Sequence, residues 1–184
     1  MMNFVGTVNG DPQVVEKIVA SQAHHKKIDG HAPGLSGNDL NAYIAAGVYS
    51  DHECSTVEDA IAKLERGQYI MIREGTAARN LDALLPLLTP QYYTYCMFCT
   101  DDKHPNDLLE KGHRMRMLTP YLKKNNVDVR EVLVGVMTGY AMDLMAQQGY
   151  RCQCAYFLPS LELWLNERDC YPFIGGDSID NANN

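Results

Sequence analysis

Positive charge is in short supply: 16 Lys and Arg stand against 23 Asp and Glu, for a net charge of −7. That acidic balance argues against a nucleic-acid backbone or an anionic membrane as the main partner, since both demand a basic face. No apolar run approaches the roughly 20 residues that span a bilayer. Residues 1–10 also lack the basic-then-apolar build of a secretory signal. Cysteine is sparse too. Six of them (Cys54, Cys96, Cys99, Cys152, Cys154, Cys170) in 184 residues fall short of a disulfide scaffold and read as reduced thiols in a cytoplasm. There is no glycine-rich dinucleotide or phosphate loop and no G-x-S-x-G elbow. What remains is a chain 46% hydrophobic and 21% charged without a long biased tract, the composition of a soluble globular domain.

Short β-prone runs alternate with longer helical patterns. Residues 2–8 are apolar and β-prone; Asp11 then caps a helix over 13–23, with Pro12 in its first turn and Val14, Val15, Ile18 and Val19 at helical spacing. A brief strand over 27–29 leads into the loop Gly30-His31-Ala32-Pro33-Gly34, and Ser36 opens a helix over 38–46 that Gly47 ends. A strand at 48–49 and a polar loop over 50–55 precede an amphipathic helix over 56–66. There Val57, Ala60, Ile61 and Leu64 share one face and Gly67 stops the run. A buried-type strand at 69–72, a helical stretch at 77–88 carrying Leu81, Leu84, Leu85 and Leu88, and a strand at 94–99 follow. Helical patterns are expected over 106–124 and 129–148. Past Tyr140 the pattern loosens, through Arg151-Cys152-Gln153-Cys154 and an apolar stretch over 155–165 with Pro159 and Trp164. The Asn-rich tail 175–184 reads as disordered.

Strands separated by helices pair in parallel, because parallel neighbours need a long crossover. Five such units predict an α/β fold. A complete (β/α)₈ barrel takes about 250 residues, so a barrel reading of this chain must leave strands out.

The polar, reactive side chains gather directly after the strands: Asp29 and His31, then Asp51, His52 and Glu53, then Arg73 and Glu74, then Asp101 and Asp102. In parallel α/β folds the loops at the carboxyl ends of strands share one face, which carries the active site in barrels. Histidines from two strand ends and a carboxylate from a third make a sensible site for zinc, manganese, iron or nickel. Such an ion lowers the pKa of a bound water towards neutrality, and a nearby carboxylate can move the proton. A single histidine after a strand is more often just a hydrogen-bonded loop residue. Three loops together bring the metal reading level with that plainer one. Arg73-Glu74 reads equally well as a structural ion pair. Cys96 and Cys99 form C-x-x-C on a strand, where residues three apart face opposite ways, so buried thiols are the favoured reading there.

Four motifs then resemble the adenine deaminase family of the amidohydrolase superfamily. They are Asp29-Gly30-His31-Ala32-Pro33-Gly34-Leu35-Ser36-Gly37 with Leu40-Asn41-Ala42-Tyr43; Ser50-Asp51-His52-Glu53-Cys54-Ser55-Thr56; Met71-Ile72-Arg73-Glu74-Gly75 with Ala78-Arg79-Asn80-Leu81; and Cys99-Thr100-Asp101-Asp102-Lys103-His104-Pro105. The resemblance spans roughly residues 1–136, including Met1-Met2-Asn3-Phe4 and Gly112-His113. It implies a metal-dependent barrel that hydrolyses adenine to hypoxanthine and ammonia by attack of metal-activated hydroxide. By the same resemblance, His31 and His52 are the histidine ligands after the fifth and sixth strands, and Asp101 is the carboxylate ligand after the eighth. Asp101 and Glu53 are the catalytic candidates. Arg73, Glu74, Asp102 and Asp51 are expected to contact substrate or to support the ligands. The implied cofactor is a divalent metal, Mn2+ first, with Fe2+ and Zn2+ as alternatives.

The family's paired His-x-His after its first strand has no counterpart here, and its metal-bridging Glu precedes the Met-Met-Asn segment. The expectation is therefore a partial TIM barrel over residues 1–136, holding roughly the fourth to eighth strands. A divergent helical extension over 137–174 and a disordered tail over 175–184 follow. A frame change near residue 138 would account for the divergence. The expected activity is that of a cytoplasmic adenine deaminase acting on a free purine base, present as a fragment. Its partners would be another copy or a complementing chain with the missing strands, not a nucleic acid or membrane. The alternatives are a non-catalytic remnant or interaction module of the same fold, or an amidohydrolase acting on another cyclic amide.

Overall fold

The structure, a computed structural model, describes residues 2–104, 115–127, 129, 131–147 and 149–158. Expectations for the tail 175–184, Pro159, Trp164, Cys170, Met1, Pro105, Gly112, His113 and the stretch 106–114 lie outside these residues. The chain divides into two compact units, residues 1–112 and 113–184.

The first unit begins with a short strand β1 (Met2–Asn3), a one-turn helix α1 (Phe4–Val8) and α2 (Pro12–Ala23). Asp11 caps α2 as its sequence predicts, with Oδ1 accepting from the amides of Gln13 at 2.9 Å and Val14 at 3.3 Å. Residues 2–8 are not one strand. Asn3 Oδ1 accepts from the Gly6 amide at 2.8 Å, and this cap turns the β-prone residues after it into a helix. Next come β2 (Ile28–His31), α3 (Gly37–Ala45), β3 (Val48–Asp51), α4 (Val57–Leu64) and β4 (Tyr69–Arg73). Thr56 caps α4 through Oγ1, 3.2 Å from the Asp59 amide. Gly67 leaves the helix with φ +81, the left-handed turn that favours glycine.

The helix expected over 77–88 shrinks to α5 (Leu81–Leu84) and a 3₁₀ turn (Leu85–Leu87). Pro86 has no amide to donate inside that turn. Upstream, Arg79 pairs with Glu74 in an antiparallel bridge, and the Asn80 amide donates to the Arg73 carbonyl at 3.0 Å. A second 3₁₀ turn, Tyr93–Tyr95, takes the start of the strand expected from residue 94, leaving β5 as Cys96–Cys99.

The five strands form one parallel sheet in the order β1-β2-β3-β4-β5, so neighbours in sequence are neighbours in space. The α/β expectation holds. One face of the sheet is buried: Ile28, Val48, Ile70 and Ile72 pack there with Tyr43, Leu84 and Leu87 among the least exposed side chains. The parallel register brings the carboxyl ends His31, Asp51, Arg73 and Cys99 to one edge.

The second unit holds α6 (Met115–Lys124), β6 (Glu131–Thr138), α7 (Gly139–Gln147) and β7 (Arg151–Leu158). Here the helix expected over 129–148 is wrong in its first half. Val132, Val134 and Val136 recur at the strand period of two, and β-branched residues favour the pleated surface. β6 and β7 pair in parallel, as a strand–helix–strand unit does, over a core of Val132, Met145 and Tyr150. No helix among the described residues is long and apolar enough to cross a membrane.

Gly30 lies where β2, β3 and α3 meet. A Cβ there would stand 2.6 Å from the Ser50 carbonyl oxygen and 3.1 Å from the Tyr43 hydroxyl. Gly30→Ala is expected to destabilise the first unit by about 1–3 kcal/mol, read as a lower urea midpoint; an unchanged midpoint would show that the strands can part without cost.

Candidate functional site

Each site residue sits at or just past the carboxyl end of a strand. Glu53 is the hub. Its Oε1 lies 3.1 Å from His31 Nδ1 and 3.3 Å from His52 Nε2. Arg73 grips the same carboxylate with both arms, Nη1 to Oε1 at 2.6 Å and Nη2 to Oε2 at 2.8 Å. Such a bidentate pair fixes the plane of the carboxylate as well as its position. Arg73 Nη1 also reaches Asp101 Oδ2 at 2.9 Å, and its Nε donates to Asn80 Oδ1 at 3.0 Å. The imidazoles of His31 and His52 meet edge to face, with ring centroids 5.9 Å apart.

The burial is graded. His52 and Glu53 are largely enclosed, with side chains 5% and 11% exposed, whereas His31 is 47% exposed. The cluster thus opens to solvent on the His31 side.

His52 has a carboxylate at each ring nitrogen: Glu53 at Nε2, and Asp29 Oδ2 at 3.0 Å from Nδ1. A neutral imidazole has only one N–H to donate. The hydrogen bond to Asp29 accordingly raises the pKa of His52 above its ordinary 6.5, against an opposing effect of burial. A cation at Nε2 would satisfy the same geometry, with Nδ1–H still donating to Asp29, the outer support that metal-bound histidines use. One ligand atom each from His31, His52 and Glu53 lies within 4.8 Å of the others. Two imidazoles and a carboxylate suit a divalent transition metal, so the residues present fit such an ion.

The structure therefore brings together His31, His52, Glu53, Arg73 and Asp101 of the residues singled out in the sequence. The carboxylate in the tightest group is Glu53; Asp101 joins it through Arg73. Asp101 takes its place with a left-handed backbone, φ +48. The other three are seen in contact with other groups. Asp51 is fully buried below them, Oδ2 accepting from the Ala32 amide at 3.0 Å and Oδ1 from the Glu53 amide at 2.6 Å. Glu74 Oε2 accepts from the Leu81 amide at 3.3 Å. Asp102 is exposed and crowds Gly75, where a Cβ would lie 1.9 Å from its Oδ1. Cys96 and Cys99 face opposite sides of β5, paired with Ile70 and Arg73. Burial pushes their thiols up to about 11 and about 12, which keeps them neutral.

Sequence reasoning gave no role to three groups that hold this arrangement. Asp29 orients His52 and accepts from Ser50 Oγ at 2.8 Å. Tyr43 is buried on α3; its hydroxyl accepts from the His31 amide at 3.0 Å and donates to the Met2 carbonyl. Burial pushes that phenol up to about 12. Lys63 is buried on α4. A lysine adjoining the apolar stripe of Ala60 and Leu64 was the available signal for it.

Fold and site together define a parallel α/β chain with a histidine–carboxylate site at the carboxyl ends of its strands. No protein-family model matches the chain. Individual relatives do. Over 113 residues, 61% of the chain, it is 59% identical to the adenine deaminase of Desulfatibacillum aliphaticivorans, 20% of which is covered. It is 53% identical to that of Kosmotoga olearia over 124 residues, 67% of the chain and 22% of the relative. Identity to that of a Sulfurovum species is 51% over 121 residues, 64% of the chain and 22% of the relative. The chain is thus homologous, over about three fifths of its length, to a part of the adenine deaminases. It spans about a fifth of the length of these curated relatives.

The pair His52–Asp29 has a pH signature. Because the pKa of His52 is raised, the pair contributes stability below pH 6.5 that is lost as the pH rises through the higher folded value. In chelator-treated protein, Asp29→Asn should lower the His52 titration midpoint measured by NMR. A midpoint unmoved by the substitution would remove Asp29 from this role.

Proposed function

We propose that the chain carries part of an adenine deaminase active site, converting adenine and water to hypoxanthine and ammonia. The observation that carries this reading is the convergence of His31, His52 and Glu53 within a chain 59% identical to a named adenine deaminase over 113 residues. The sequential strand order supports a segment of a (β/α)₈ barrel, because a doubly wound sheet would reverse its order at a switch point.

In this reading His31 and His52 would hold a divalent cation, Mn2+ with Fe2+ or Zn2+ as alternatives, with Asp101 as their carboxylate partner. The cation would make hydroxide available near neutral pH. Glu53 lies beside both rings and is suited to take a proton at Oε1 and return it to the departing amine. Arg73 keeps the Glu53 and Asp101 carboxylates oriented by charged hydrogen bonds. His31 stands at the open side, where a flat purine base could approach. The described cysteines are free thiols, which supports a cytoplasmic setting.

Because the chain spans about a fifth of its relatives, we propose that turnover needs the rest of such a polypeptide, in the same chain or a complementing one. A chimera tests this. The matched segment of the Kosmotoga olearia relative is replaced by that of this chain, Mn2+ is supplied, and ammonia release is followed. Release from adenine but not from a cyclic ureide is expected, with Glu53→Gln in the chimera lowering kcat by about 10²–10⁴. An inert chimera beside an active parent, or one that prefers the ureide, would contradict the reading.

A further inference from the structure

Beneath the imidazoles lies a lysine with no exposed surface. Lys63 Nζ donates to the Ala32 carbonyl at 2.7 Å and to Cys54 Sγ at 3.4 Å, and it stands 3.6 Å from Asp51 Oδ2 and 3.3 Å from Asp59 Oδ1. Asp51, also fully buried, holds the amides of Ala32 and Glu53. The Ala32 residue is therefore clamped at both its polar atoms, its N–H by Asp51 and its carbonyl by Lys63. Ala32 follows His31 directly, and Asp51 precedes His52 directly. One buried ion pair thus ties the loop after β2 to the loop after β3.

Burial opposes the charge of Lys63, but Cys54, Asp51 and Asp59 outweigh it and keep its pKa above 10.5. Burial also pushes the Cys54 thiol up to about 12, so Asp51 and Asp59 supply the negative charge near neutral pH. Lysine is almost never fully buried unless paired, and apolar residues of similar volume often replace a buried ion pair at no loss of stability. Packing alone therefore does not account for a cation here. What the ammonium does that a methyl group cannot is grip a carbonyl in one loop and a carboxylate in the other at once.

We propose that Lys63 is a positioning residue: by holding Ala32 and Asp51 together it sets the placement of His31 relative to His52 and Glu53. Its consequence for metal binding rests on the reading that His31 and His52 hold a divalent cation. Lys63 touches neither imidazole, so its effect is exerted entirely through the two loops.

Two measurements on the full chain test this, on wild type, Lys63→Met and Lys63→Arg. The first, amide hydrogen exchange by NMR without metal, does not depend on the cation reading. Lys63→Met should exchange at least tenfold faster at Ala32 and Glu53 while the amides of β4 keep their protection. Lys63→Arg keeps a cation beside Asp51 and so preserves the fold, but its planar head cannot serve both loops in the same way. It should show a smaller loss at the same two amides, and it carries the test if the methionine variant does not fold. The second measurement is Co2+ titration followed by visible absorption. A loss in affinity of about 10–100-fold and an altered spectrum are expected for the methionine variant, with the arginine variant between. Folded variants that keep wild-type protection at Ala32 and Glu53, or lose it evenly through the sheet, would overturn the proposal. Wild type that takes up no Co2+, alongside the local exchange change, would sink the cation reading and leave the positioning role standing.

Discussion

The arrangement of this site depends on one carboxylate. Glu53 stands between two imidazoles and is held in its plane by two hydrogen bonds from Arg73. Without it, His31 and His52 would share no group, and Arg73 would keep only Asp101 and Asn80 from this network. The parallel sheet makes the meeting possible: strands that run the same way deliver their following loops to the same edge. Glu53, two residues beyond β3, is central among those strand ends.

A second layer of buried polar groups lies under that edge and does what the sheet alone cannot. Strand pairing fixes the spacing of β2 and β3 but leaves the loops after them free to choose among conformations. Tyr43 pins the His31 amide, and Asp51 with Lys63 pins Ala32 and Glu53. Breaking a buried ion pair on one side costs roughly 3–5 kcal/mol, whereas its net contribution to stability is small or negative. Such a pair serves geometry more than stability. Here that geometry is the placement of three groups suited to a divalent ion.

Much of the first unit was legible in the sequence because local chemistry and tertiary packing agree there. Asp11 with Pro12 and Thr56 start helices where they should, and Gly67 ends one. The errors have physical causes. A single Asn3 cap converts the β-prone residues after it into a helix, and Pro86 cuts a leucine-rich run into two short turns. Over 129–148 a strand and a helix lie end to end, and reading them as one window hid the alternating valines. The residues of the site were legible as polar groups after strands, and the family motifs picked out His31, His52, Glu53, Arg73 and Asp101. Which carboxylate would lie against the imidazoles was not. That depends on how far a loop carries a side chain beyond the sheet, and no pattern in the sequence encodes that distance. Lys63 was missed because a lysine on an amphipathic helix is ordinarily solvated, and its burial is visible only once the loops above it are in place.

On the proposed reading, His31 and His52 hold one divalent ion together with a carboxylate. X-ray absorption on the full chain loaded with Zn2+ tests it most directly. A shell of nitrogen and oxygen at about 2.0–2.2 Å is expected, with outer-shell scattering from two imidazoles that falls to one in His52→Ala. A sulfur shell at about 2.3 Å, or imidazole scattering indifferent to that substitution, would contradict it.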